Sequence, residues 1–92
     1  MSHYRRNYLA GGTFFFTVKL ANSKSCLLVE QIDLLREAYA FVQQRYAFET
    51  VAVCVLPNHI HAVWALPDGD DDYSLRWRLL KTKFSDAFES LE

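Results

Sequence analysis

Two apolar runs of strand length, separated only by Pro57 and Asn58, constrain the fold of this chain most strongly. The runs extend from Thr50 to Leu56 and from Ile60 to Leu66, and both are rich in β-branched residues, which favour strands. Proline and asparagine favour turns, and so short a gap leaves room only for a tight connection. The sequence therefore predicts an antiparallel hairpin.

Three further segments have a recognisable pattern. The aromatic and β-branched segment from Thr13 to Leu20 is predicted as the first strand, with its three successive phenylalanines buried on both faces. Apolar residues at helical spacing predict an amphipathic helix from Glu30 to Tyr46. An acidic loop from Pro67 to Asp72 follows the hairpin, and Ser74 is the predicted N-cap of a second helix that begins at Leu75.

The resulting order, β-α-β-β-α, predicts the fold class. A ferredoxin-like α+β sandwich with an antiparallel sheet has this order plus one further strand, which we expect this chain to lack. Its 92 residues, 51% of them hydrophobic, suit a single domain. An unfilled sheet edge favours strand pairing between copies, so a homodimer is one expected form. Leu91 and Glu92 are typical of residues left by an expression vector and are interpreted as a cloning remnant.

Cys26 and Cys54 each lie in an apolar run, without the spacing of a zinc or redox motif. They are predicted to be buried free thiols. The basic N-terminus leads into two glycines instead of a secretory apolar segment, and no stretch is long enough to cross a membrane. We therefore expect a cytoplasmic protein with no membrane partner.

One pattern can carry metal chemistry. His59 and His61 are one residue apart at the start of a predicted strand, so both imidazoles project from the same face while Ile60 points to the core. Two adjacent imidazoles can bind one divalent ion. The pattern alone does not decide, because two histidines on an exposed strand are more commonly ordinary polar residues.

Charge distribution allows contact with DNA although the formal net charge is only −1. Basic residues are concentrated near the N-terminus and on the second predicted helix, away from the acidic segments, although such a helix face is commonly just solvated. The candidate DNA contacts are Tyr4, Arg5, Arg6, Arg76, Arg78, Lys81 and Lys83.

The order of several segments resembles a known family. The segment from Leu56 to Trp64 is similar to the histidine-hydrophobe-histidine segment of single-tyrosine HUH-type transposases of insertion sequences. The other segments resemble their REP-associated branch, the REP-associated tyrosine transposases, and span the chain: Tyr4 to Arg6, Gly11 to Val18, Leu66 to Asp70 and Tyr73 to Lys81.

This resemblance implies that His59 and His61 hold Mg²⁺ or Mn²⁺ on the sheet. It also implies that a tyrosine on a later helix attacks a DNA phosphate and leaves a 5′-phosphotyrosine. Single-stranded or REP-type hairpin DNA is the implied partner, read in part by a flexible basic arm with Arg5 and Arg6. The family's nucleophile and third ligand lie well downstream of the pair, so this chain is predicted to lack both and to be inactive alone.

The tyrosines within the chain are not expected to act as the nucleophile. Tyr73 lies beside the acidic loop, which would repel phosphate, and Tyr39 and Tyr46 are expected to pack against the sheet. Two other functions stay open. One is a non-catalytic DNA-binding or regulatory remnant with idle histidines. The other, a histidine-triad phosphohydrolase, needs a longer alternating histidine series, and Val63 interrupts it.

Overall fold

A computed structural model describes residues 12–88, and residues 2–9 and 89 as backbone only. Within them the order of elements is β1 (Ser2–Leu9), β2 (Thr13–Leu20), α1 (Leu27–Glu30), α2 (Ile32–Arg45), β3 (Glu49–Leu56), β4 (His59–Ala65) and α3 (Tyr73–Glu89). The suspected cloning remnant, Leu91 and Glu92, lies outside the described residues.

The four strands form one antiparallel sheet in the order β1-β2-β4-β3. The predicted hairpin is confirmed, because Leu56 and His59 are paired across Pro57 and Asn58. Neither turn residue has a positive φ, so this connection differs from the type I′ turns common in two-residue hairpins. The predicted α+β class with an antiparallel sheet is likewise confirmed.

The strand β1 corrects the prediction that Thr13–Leu20 comes first and follows a flexible arm. Ser2–Leu9 pairs with β2 along its whole length, and Gly12 turns the chain with a φ of +76°. This strand is held by backbone hydrogen bonds, which do not require apolar side chains. Its sequence is mostly polar and has no apolar run, so the pattern of residue types did not predict it. The side chains of the predicted DNA contacts Tyr4, Arg5 and Arg6 lie outside the described residues; their backbones belong to β1.

All three helices contribute to a core on one face of the sheet. Every second residue of β2 and β4 is buried there, and Phe48, Trp64 and Trp77 form a continuous aromatic stack. The core residues of the described chain are Phe14, Phe16, Val18, Leu28, Leu35, Ala38, Val42, Phe48, Ile60, Ala62, Trp64, Leu66, Trp77, Leu80 and Phe84. Phe15, predicted to be buried, is only partly so because it projects from the other face.

Other local predictions need correction. Cys26 and Cys54 are exposed, Cys26 just before α1 and Cys54 on the sheet face without helices. The N-cap of α3 is Asp72, not Ser74, because its carboxylate accepts the backbone N–H of Leu75 at 3.1 Å. This cap begins the helix at Tyr73, two residues earlier than predicted.

The strand β3 forms an outer edge of the sheet, where Val51 and Val53 are 57% and 46% exposed. A homodimer through such an edge stays a prediction. Among the described residues, none of the helices has the length and apolar character needed to span a membrane.

Candidate functional site

The alternation of β4 sets the orientation of the histidine pair. Ile60 and Ala62 are buried beneath the helices, so His59 and His61 project from the opposite face. Their ring centroids are 4.8 Å apart and the rings are nearly perpendicular, at 88°. We call this side of the sheet the open face; among the residues on it are Phe15, Thr17, Lys19, Cys54, His59, His61 and Val63.

Each imidazole is held by a hydrogen bond at Nδ1. The amide oxygen of Asn58 lies 2.7 Å from Nδ1 of His59, and the hydroxyl of Thr17 lies 3.2 Å from Nδ1 of His61. The ring of Phe15 stacks beside His61, with centroids 6.0 Å apart and planes at 27°. The Nε2 atoms, on the other side of each ring, are therefore the ones left to meet a ligand.

The strand pairing adds residues that sequence reasoning missed. Thr17 and Lys19 are the register partners of His61 and His59, and Lys19 is exposed. Their alternation within β2 was visible in the sequence, but the pairing of β2 with β4 was not. Lys19 places a positive charge beside the histidines, which suits an anionic ligand.

The pair fits part of a divalent metal site. Among the described residues, no cluster of three or more histidines, cysteines or acidic residues is arranged to hold an ion. Cys54, although paired in register with His61, does not complete such a cluster. His59 and His61 can therefore supply two ligands, and oxygen atoms of water or phosphate would have to supply others.

Arg76, a predicted DNA contact, is instead a buried structural residue and that prediction is wrong. It is 2% exposed, and its guanidinium donates to both carboxylate oxygens of Asp70, at 3.2 and 2.9 Å. It also donates to the carbonyls of Tyr46, Ala47 and Asp72, at 3.1, 2.8 and 3.0 Å. All the N–H groups of an arginine are thereby used, so none remains for a phosphate.

The other basic residues of α3 differ in exposure. Arg78 and Lys83 are exposed, and the ammonium of Lys83 lies 4.4 Å from the centre of the Phe41 ring. Lys81 is half-buried, and this burial lowers the pKa of its ammonium group. Contact of these three residues with DNA stays a prediction.

Of the three tyrosines with described side chains, Tyr39 and Tyr73 lie on the helical side of the sheet. Tyr73 packs against Phe14 and Phe16, on the helical side of the sheet. Tyr39 also packs there, as predicted: it hydrogen bonds to Thr50, and burial raises the pKa of its phenol. Tyr46 follows α2 and is 40% exposed, so it is not on the helix as predicted; its packing against the sheet stays a prediction. The side chains of Tyr39 and Tyr73 therefore face away from a phosphate held on the open face.

Acid should selectively weaken the ion pair between Asp70 and Arg76. The hydrogen bond from Arg76, helped by the backbone N–H of Asp72, lowers the pKa of Asp70 below its ordinary value. As pH falls, the Asp70 carboxyl is therefore protonated in the unfolded chain before it is protonated in the folded chain. The ion pair stabilises the fold fully above about pH 4, and this stabilisation is lost as the pH falls through the lower pKa of the folded state.

We expect Asp70→Asn to be less stable than wild type at pH 7 and to lose less stability between pH 7 and pH 3. Urea unfolding at both pH values measures this. Asp71→Asn, which removes a neighbouring carboxyl outside the Arg76 contacts, should follow the wild-type pH dependence. Equal acid sensitivity in Asp70→Asn and wild type would contradict the assignment.

Comparison with known proteins gives a consistent set of relatives, although no family model matches the chain. It is 52% identical over 87 residues to the REP-associated tyrosine transposase of Escherichia coli K12, covering 95% of this chain and 53% of that protein. A Haemophilus influenzae protein described in the same terms is 45% identical over 85 residues, covering 92% and 48%.

The fold is matched by a solved structure as well. The structure of a REP-associated tyrosine transposase bound to a REP hairpin superimposes with a TM-score of 0.84 and 50% identity. The match covers 97% of this chain and 54% of that one. The chain spans about half the length of the curated relatives it matches.

Proposed function

The chain belongs to the family of REP-associated tyrosine transposases, and on that basis we propose that it binds REP-type hairpin DNA and holds a divalent ion between His59 and His61 beside a DNA phosphate. The observation that carries the proposal is the placement of both imidazoles, 4.8 Å apart, on a sheet face that no described helix covers. The related transposase of known structure is bound to a REP hairpin, which supports the choice of DNA.

The surroundings of the pair suit a phosphate. Lys19 is exposed next to His59. The acidic loop from Asp68 to Asp72 precedes α3, and α3 packs on the opposite face of the sheet. A phosphate on the open face would therefore meet a positive charge nearby. A bound Mg²⁺ or Mn²⁺ would offset negative charge on the phosphate oxygens. Histidine nitrogen is a better ligand for Mn²⁺ than for the strictly oxygen-preferring Mg²⁺, so Mn²⁺ is the more sensitive probe.

Cleavage and rejoining through a 5′-phosphotyrosine, proposed for the whole protein, needs more than the described site. Tyr39 and Tyr73 lie on the helical side, and Tyr46 follows α2. The nucleophile would therefore be a residue other than Tyr39 and Tyr73. The function proposed for this chain is therefore metal-assisted binding of hairpin DNA. The histidines would hold the ion beside a DNA phosphate, and a residue elsewhere would attack that phosphate.

Replacing the histidines tests this proposal. Calorimetric titration of the wild-type chain with Mn²⁺ should show binding that weakens by more than about 100-fold in His59→Ala and in His61→Ala, because each removes one ligand. Cys54→Ser, which changes the register partner of His61 without removing an imidazole, is the matched control and should bind as wild type does.

The same variants separate the proposal from a purely DNA-binding remnant. In gel shifts with a REP-type hairpin, Mn²⁺ should tighten binding by wild type and not by His61→Ala. A salt-dependent shift that is identical with and without Mn²⁺, and identical in both proteins, would show that the histidines are idle. No shift with any hairpin would reject the DNA-binding proposal itself.

A further inference from the structure

The turn that leads into β4 is fixed from three directions. The backbone carbonyl of Asn58 accepts the N–H of Leu20 at 2.9 Å, and the carbonyl of Pro57 accepts the N–H of Leu28 at 3.2 Å. The side chain of Asn58 donates to the carbonyl of Ser23 at 2.7 Å. The end of β2, the following loop and α1 thus all hold this turn in place.

These contacts determine which way the Asn58 amide faces. Its NH₂ group must point to the Ser23 carbonyl, since a carbonyl can only accept a hydrogen bond. Its oxygen therefore faces Nδ1 of His59, 2.7 Å away. Because an amide oxygen can only accept, Nδ1 of His59 must carry the proton, and in the neutral ring Nε2 carries the lone pair.

We propose that Asn58 is a positioning residue that holds His59 in the Nδ1–H tautomer and so presents Nε2 to a metal ion on the open face. The proposal rests on the metal site proposed above. Metal-binding histidines generally donate their second ring N–H to an oxygen acceptor, which fixes the tautomer and the ring orientation. The Asn58 oxygen supplies such an acceptor, and Ser23 keeps it from rotating away.

Among the described residues, the neighbouring His61 has no contact that fixes its tautomer. Nδ1 of His61 faces the hydroxyl of Thr17, at 3.2 Å, and a hydroxyl can donate or accept. Either tautomer of His61 satisfies this contact. The two imidazoles are therefore not equivalent. The tautomer of His59 is fixed before an ion binds, whereas His61 can adopt either tautomer when an ion binds.

Nitrogen NMR of the full 92-residue chain without metal tests the tautomer directly. At a pH where imidazoles are neutral, two-bond proton–nitrogen correlations should show His59 protonated at Nδ1 in wild type. Asn58→Ala removes the acceptor, so His59 should move toward the Nε2–H form that unconstrained histidine prefers. Asn58→Asp also loses the donor to Ser23 but retains an acceptor, and should keep the Nδ1–H form.

Metal binding gives the second readout. Mn²⁺ affinity should fall by about 10- to 100-fold in Asn58→Ala and be retained or raised in Asn58→Asp, which adds a negative charge near the ion. Thr17→Val, which alters only the contact of His61, should leave the His59 tautomer unchanged.

Three results would overturn the proposal: Nε2–H at His59 in wild type, an unchanged tautomer in Asn58→Ala, or an unchanged Mn²⁺ affinity in a variant whose tautomer has shifted. If wild type shows the Nδ1–H form but binds no Mn²⁺, the proposed metal site is wrong and the role of Asn58 in presenting a metal ligand falls with it. The metal-free tautomer comparison distinguishes that failure from an error in the contact itself.

Discussion

Replacing Arg76 with methionine is expected to lower the free energy of unfolding by about 3 kcal/mol, because the five hydrogen bonds of one buried guanidinium are lost together. Methionine fills much of the space of the arginine stem but donates no hydrogen bond. The carbonyls of Tyr46, Ala47 and Asp72 would lose the donors that the buried Arg76 supplies. Since small domains are only marginally stable, this variant should be largely unfolded at moderate temperature.

Urea unfolding followed by circular dichroism measures the effect. Arg76→Lys retains a positive charge but not the planar fork, so its loss of stability should be intermediate. Arg78→Ala, two positions along α3 and exposed, is the matched control and should change stability by no more than about 0.5 kcal/mol. A loss below about 1 kcal/mol in Arg76→Met would contradict the structural role assigned to this guanidinium.

Replacing Trp64 with alanine should have an effect of similar size, about 3–5 kcal/mol, through a cavity in the core. Its ring is fully buried and stacks on Phe48 at 4.0 Å and on Trp77 at 4.4 Å. The stack joins Phe48, just before β3, to the centre of the sheet and to α3, so removing Trp64 weakens the packing between the sheet and that helix. Dispersion contacts and the burial of aromatic surface are lost together.

Trp64→Phe should cost less than Trp64→Ala because a smaller ring still occupies the stack. If Trp64→Ala does not fold, Trp64→Phe still supplies a measurable loss in urea unfolding. Val51→Thr, at an exposed position on the outer strand β3, is the control and should stay within about 0.5 kcal/mol of wild type. Equal stability of Trp64→Phe and Val51→Thr would show that the stack contributes little.

The sequence could predict those features of the fold that depend on neighbours along the chain. Two β-branched runs of strand length and a turn at Pro57 and Asn58 sufficed for the β3–β4 hairpin. The strand β1 escaped prediction because its residues are mostly polar and its evidence is the pairing of its backbone with β2. The thiol of Cys54 was misjudged for a related reason: an apolar run does not show which face of the sheet the helices will cover.

The candidate site divides in the same way. Its histidines project side by side because residues two positions apart in a strand must do so, and the sequence by itself determined that much. The tertiary structure alone decided that Thr17 meets His61 across 44 positions and that Arg76 reaches a carbonyl 30 positions earlier. Local geometry is set by the chain's own covalent periodicity. The partners of a side chain depend on which distant segments the core brings together, and a pattern of residue types does not specify that.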